Sequence, residues 1–284
     1  MHTEQFELHA RIEERHWWFV ARRSILRQVI NAVLPPGQGA PIVDVGCGTG
    51  ANIAALADEY DCTGIDTSQE AVRLAAERFP QVRFLCGQAE QMPSILESAR
   101  LVLLCDVLEH VPDDFRLLSE LLAVTQPGTY FLLTVPADMT LWSEHDRSFG
   151  HYRRYEPARF AQLWQGLPVT TRFVSPFNAR LYPLVKTVRG WNRWRGKALG
   201  AAGTDFVLPS APINAALRRC FAGEGRRLAA LARGRSRRPY RHGVSLMALV
   251  ERGEGLIEPR RRPDFVAHDI YGPADTHPLE ELAV

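Results

Sequence analysis

A chain of 284 residues with a formal net charge of +2 is, taken whole, neither a polyanion nor a strongly basic nucleic-acid binder. Its apolar fraction is ordinary, enough for a sizeable core, and no run of about 18 apolar residues exists to cross a bilayer. The charge is uneven, however: between Lys186 and Arg241 stand 14 Lys/Arg against Asp205 and Glu224, so +12 there leaves about −10 elsewhere.

Residues 1–38 read as a helical segment interrupted by His16-Trp17-Trp18-Phe19. So much aromatic surface is not left in water; it packs on the body, forms a lid, or meets a membrane interface. From Pro41, short apolar runs alternate with helical patterns: PIVDV, CTGID, VRFLC, LVLLCDV and TYFLLTV are strand candidates. Between them lie helical stretches, among them SQEAVRLAAERF, with Ser68 as N-cap, and DDFRLLSELLAV, with Phe115, Leu118 and Leu122 on one face. Strict alternation of strand and helix predicts an α/β fold with a doubly wound, mostly parallel sheet covered on both faces. Pro168 to Val174 alternates like a further strand, and VSLMALVE (244–251) reads as the last. Between them, about 176–242, falls a basic helical insertion; the polar, Pro-rich tail 252–284 is expected to be flexible.

The five cysteines, Cys47, Cys62, Cys86, Cys105 and Cys220, form no CxxC pair. They predict a reducing compartment and no metal site. The polar start MHTEQFELHA does not read as a secretory leader, so a cytoplasmic location is expected, with possible membrane contact at the periphery.

The first strand runs into Gly46-Cys47-Gly48-Thr49-Gly50. Glycines at alternate positions, where strand turns into helix, let a ligand touch the main chain directly. The spacing is GxGxG, neither a dinucleotide fingerprint nor a P-loop. Asp66 closes the second strand, where an acid accepts hydrogen bonds from both hydroxyls of a ribose. The site therefore suits a nucleoside rather than a pyrophosphate.

VDVGCGTG, Asp66 in GID, GQAEQMP and CDVLEHVPD, in that order and on those elements, resemble the successive motifs of class I S-adenosylmethionine-dependent methyltransferases. The resemblance covers about residues 40–175, and RHWWFVARR and HDRSFGHYRRY are similar to stretches of a bacterial methyltransferase subgroup, type 11/12-like. It implies a Rossmann-like, seven-stranded sheet over 39–251, with VSLMALVER as a late antiparallel strand. It implies S-adenosylmethionine as cofactor. Asp44 and the loop Gly46, Cys47, Gly48 and Gly50 would hold the methionine moiety, and Asp66 the ribose. Thr67 would flank the adenine, and Gln88, Ala89 and Glu90 would read its edge, with Gln88 standing where many relatives have Asp. Asp106 and Val107 would lie beside the methyl group.

Methyl transfer from a sulfonium asks the protein to align a nucleophile and exclude water. His110, after the fourth strand, and His145 and His151, after the fifth, are candidate bases. Arg153, Arg154 and Tyr155 are candidate substrate-binding residues; the arginines either clamp an anion or pair with Asp146 and Glu156 to fix the loop. The chain lacks the Asn/Asp-Pro-Pro-aromatic motif of adenine-amino enzymes and a Pro-preceded nucleophilic cysteine, so a small-molecule or lipid-linked acceptor is expected and nucleic acid is not. An RNA methyltransferase and a non-catalytic cofactor-binding regulator are the competing readings. Trp191, Trp194 and the arginines around them would suit an interfacial amphipathic helix.

Overall fold

The computed structural model describes residues 3–194 and 207–259. In chain order the elements are α1 (Thr3–Ile12), α2 (Trp17–Val33), β1 (Pro41–Val45), α3 (Ala51–Ala54), β2 (Asp61–Asp66), α4 (Gln69–Arg78) and β3 (Arg83–Cys86). Then come α5 (Pro93–Ser98), β4 (Leu101–Cys105), α6 (Asp114–Val124), β5 (Tyr130–Pro136), α7 (Glu144–Ser148), α8 (Pro157–Gln162) and β6 (Val169–Phe177). They are followed by α9 (Tyr182–Trp194), α10 (Ala211–Ala222), α11 (Gly225–Ala232) and β7 (Ser245–Arg252).

The strands form one seven-stranded sheet in the order β3-β2-β1-β4-β5-β7-β6, parallel except for β7, which runs antiparallel to both neighbours. Alternate residues of each strand feed opposite layers. Val43, Val102, Leu104 and Leu133 pack with Phe115, Leu118, Leu122 and Phe160 on one face. Ile42, Leu101, Leu103 and Leu132 pack with Ile25, Val29, Leu228 and Leu231 on the other. Burial on both faces explains why these strands read as continuous apolar runs.

Helix α2 forms because Phe19, Arg22, Ile25, Leu26, Val29 and Ile30 recur at helical spacing and are buried together. His16 caps it: its Nδ1 accepts from the Trp18 amide at 3.3 Å. The helix packs against α10 and α11, so the N-terminal segment and the insertion jointly supply one covering layer of the sheet. Part of the insertion's charge is spent internally, since Arg180 donates to the Cys220 and Gly223 carbonyls and Arg227 to those of Arg238 and Pro239. At the other end, Gly253 donates to the Pro168 carbonyl and Ile257 is buried, so residues 252–259 belong to the folded body. Residues 260–284, the remainder of the expected tail, lie outside the described residues.

The carboxyl ends of β1, β4 and β5 share one edge, at the point where strand order reverses about β1. Ligands of open α/β sheets bind in that crevice.

Candidate active site

The glycine loop sits at that edge under tight steric limits. Gly46 has φ +71, and a Cβ there would meet Val107 Cγ2 at 2.6 Å. Gly50 has φ +84, with Phe84 Cζ at 2.7 Å from the same hypothetical atom. The Gly48 amide donates to Asp66 Oδ2 at 2.8 Å, and the Ser68 amide to Asp66 Oδ1 at 2.8 Å. Asp66 thus ties the loop to the end of β2 while keeping further lone pairs on each oxygen.

Asp44 differs. It is 1% exposed, and neither carboxylate oxygen has a hydrogen-bond partner among the described residues. Burial, with Asp66 adding to it, pushes its pKa up to about 7, against the pull of Arg22. An orphaned carboxylate beneath a glycine loop fits a ligand that brings its own donors, such as an ammonium group.

Beyond the loop opens a cavity of about 480 Å³. Gly46, Cys47 and Gly48 reach it, as do Asp106, Glu109 and His110 after β4, and His145, His151 and Arg154 after β5. The structure therefore brings all three candidate histidines to one cavity with the loop. The remaining positions stand apart. Asp44, Gly50, Asp66 and Val107 do not line the cavity. Thr67 and Gln88 are exposed on the neighbouring part of the same edge, Ala89 is buried in the core, and Gln88 Oε1 accepts from Gln91.

Two candidate substrate-binding residues are displaced by the structure. Arg153 is fully buried, donating to the Val111 and Pro112 carbonyls at 2.7 Å each, with Asp114 at 3.6 Å. Tyr155, also fully buried, donates to Asp114 Oδ2 at 2.7 Å. Both face the core rather than the cavity. The physical reason is extended backbone: successive side chains alternate, so 153 and 155 turn inward together. Arg154 points the other way and lines the cavity, yet it is committed to the Ala137 carbonyl at 3.0 Å and to Asp146 at 2.8 Å. Of the two partners expected for the arginines, Asp146 takes Arg154, whereas the acid beside Arg153 is Asp114 rather than Glu156.

Asp146 also accepts from the Ser143 amide at 2.8 Å and lies 3.0 Å from His151 Nδ1. Burial disfavours its charge, but the His151 hydrogen bond and the Arg154 guanidinium hold its carboxyl below the usual range. Burial, followed by the neighbouring His151, pushes His110 and His145 well below the ordinary histidine pKa, so both are neutral at pH 7.

Arg22 is the functional candidate that motif reading misses. Its guanidinium pairs with Asp106 Oδ2 at 2.7 Å, donates to Thr134 Oγ1 at 3.2 Å, and lies over the Trp18 ring at 4.8 Å. It lines the cavity from the N-terminal helix and fixes the acid beside the loop. A signal existed: an arginine on the apolar face of α2, between Phe19 and Ile25, has to find a buried anion. The roof comes from α9, where Leu184, Val185 and Val188 reach the cavity. Leu184, Val188, Trp191 and Trp194 continue outward along the helix, 54%, 41%, 51% and 76% exposed.

Residues 42–128 match the family model described as a methyltransferase domain. The chain is 24% identical over 155 residues to a probable S-adenosylmethionine-dependent methyltransferase of Mycolicibacterium smegmatis, covering 54% of this chain and 59% of that one. It is 27% identical over 177 residues to a trans-aconitate 2-methyltransferase of Deinococcus radiodurans, covering 54% and 67%. The chain thus spans about six-tenths of the length of these curated relatives. Among solved structures, the plantazolicin methyltransferase BpumL, in complex with a monoazolic desmethylPZN analog and SAH, shares the fold at TM-score 0.53 and 15% identity, covering 88% of this chain and 90% of that one. With the sheet order and the glycine loop, these matches place the domain built around residues 42–128 in the class I S-adenosylmethionine-dependent methyltransferases.

Proposed function

We propose that the chain transfers a methyl group from S-adenosylmethionine to an oxygen or nitrogen of a small-molecule or lipid-linked acceptor. One observation carries this reading: the cavity begins at the glycine loop and Asp106 and ends on the apolar face of α9. When bound, S-adenosylmethionine supplies an electrophilic methyl group and its own leaving group. Asp44 accepts from the amino group of the methionine moiety, and the loop amides lie alongside it. Asp66 spends its remaining lone pairs on the ribose, while Thr67, Gln88 and Glu90 border the base. The Arg22–Asp106 pair holds the floor of the cavity rigid, and Trp18, Phe19 and Phe149 keep water from the reacting atoms. His151, with Nδ1 committed to Asp146, is left with Nε2 as a proton acceptor for a hydroxyl; His145 stands beside it, ring centroids 6.2 Å apart.

The acceptor enters under α9, whose exposed stripe favours an apolar or lipid-linked molecule and contact with a membrane surface. Titration calorimetry with S-adenosylmethionine and with its demethylated product should show binding of both; silence from both would overturn the reading. Lysate supplied with methyl-labelled cofactor should put label in small molecules or lipid extract. Label in RNA alone would overturn the acceptor class.

A further inference from the structure

The turn after β4 and the loop after β5 bring Glu109, His110 and His151 so close that one ligand atom from each lies within 4.8 Å of the others. The two imidazoles stand nearly perpendicular, centroids 4.6 Å apart at 85°. Glu109 is fully buried, lines the cavity, and neither of its oxygens has a hydrogen-bond partner among the described residues. The nearby cations are spoken for: Arg22 pairs with Asp106 and Arg154 with Asp146. A buried carboxylate in that position is costly unless a cation or a proton joins it.

His151 carries the support that metal-bound imidazoles carry. His151 Nδ1 is held at 3.0 Å by Asp146, itself anchored by Arg154 and the Ser143 amide, so Nε2 is the nitrogen left over. An outer carboxylate on a histidine fixes its tautomer and raises the basicity of the remaining nitrogen.

We propose that Glu109, His110 and His151 bind a divalent first-row transition metal ion, zinc being the best match, with an open position toward the acceptor end of the cavity. Two imidazoles and one carboxylate suit zinc, iron or cobalt, whereas magnesium and calcium prefer oxygen donors throughout. Three protein ligands leave room for an exogenous one, as catalytic zinc sites do. The ion's role rests on the methyl-transfer reading above, and it replaces His151 as the group that activates the hydroxyl, because His151 Nε2 then holds the ion. An acceptor hydroxyl held by the ion loses its proton to solvent near neutral pH; its oxygen then takes the methyl group, and the carbon–sulfur bonding pair returns to the sulfonium sulfur as a neutral thioether.

The full chain, stripped with a chelator and dialysed against zinc, should retain one equivalent. With cobalt(II) it should show visible absorption bands of mixed nitrogen and oxygen ligation. Glu109→Gln and His151→Ala should each weaken zinc binding by at least about tenfold in competition with a chromophoric chelator, and Asp146→Asn by about 10–100-fold, because Asp146 holds His151 Nδ1. His145→Ala should keep the stoichiometry. Retention below one equivalent in the wild-type chain, or affinity unchanged in Glu109→Gln, overturns the site. Where a variant shows no cooperative thermal melt, the wild-type cobalt spectrum decides, and bands lacking nitrogen ligation refute the proposal. S-adenosylmethionine binding is measured separately: zinc bound without cofactor binding would refute methyl transfer and spare the metal site, and the converse would do the opposite.

Discussion

The two walls of the cavity use buried carboxylates in opposite ways. The wall after β5 is held by paired acids: Asp114, from the start of α6 behind it, accepts from Tyr155 at 2.7 Å and Arg159 at 2.8 Å, and Asp146 takes Arg154 at 2.8 Å and faces His151 at 3.0 Å. In the wall after β1 and β4, Asp44 and Glu109 are as deeply buried and have no hydrogen-bond partners among the described residues. A paired buried acid holds backbone in place; an unpaired one is costly until a ligand arrives. The arginine- and tyrosine-rich stretch 153–155 is therefore largely scaffold, and it presents His151. Reactive capacity is concentrated where the charges are left unmatched.

The largest effect should come from the scaffold. Asp114→Ala strands Arg153 and Arg159 in the core, and removing one partner of a buried ion pair costs about 3–5 kcal/mol. Urea unfolding followed by far-UV circular dichroism measures it. A loss below about 1 kcal/mol, the value of an exposed pair, would break the contrast between the two walls.

Asp44→Asn should behave in the reverse sense, costing ligand affinity and not stability. Losing a charged hydrogen bond of about 1.5–3 kcal/mol should weaken S-adenosylmethionine binding by about tenfold or more. The folded pKa of Asp44, about 7, lies above its ordinary value of 3.8. The native state therefore binds more protons than the unfolded state between those values, and Asp44 subtracts stability as pH rises through that window. Asp44→Asn removes that penalty. The ligand-free variant should exceed the wild type in stability at pH 8, with the margin closing as pH falls toward 4. A margin that widened on acidification would mean that Asp44 is paired in solution.

The strands and their burial on both faces were legible because a central parallel strand leaves a continuous apolar run, and the glycine loop because its spacing falls at a strand-to-helix turn. The sense in which Arg153 and Tyr155 point was also encoded, in the alternation of an extended segment, but nothing local says that Asp114, some 40 residues earlier, waits for them. The role of α2 was hidden for a related reason. Its apolar face is obvious, yet that it packs with α10 and α11 depends on helices nearly 200 residues away. Cysteine spacing speaks only to thiolate ligands and is blind to a carboxylate and two histidines brought together from separate loops.

The smallest effect on stability should come from the outer face of α9, which belongs to neither wall. Trp191 is half exposed and packs at a tilt against Trp194, ring centroids 5.2 Å apart and planes at 39°. Substitution at such a surface position usually changes stability by no more than about 0.5 kcal/mol. Trp191→Glu should leave the unfolding curve in place. If the stripe seats the protein on a membrane while an apolar acceptor passes beneath the helix, the same change should abolish co-sedimentation with anionic vesicles. Vesicle binding that survives the substitution, or is absent from the wild type, removes the interfacial role and leaves α9 as a roof. A destabilisation well above 1 kcal/mol would instead place Trp191 in the packing of the cavity itself, because only buried aromatic surface carries that cost.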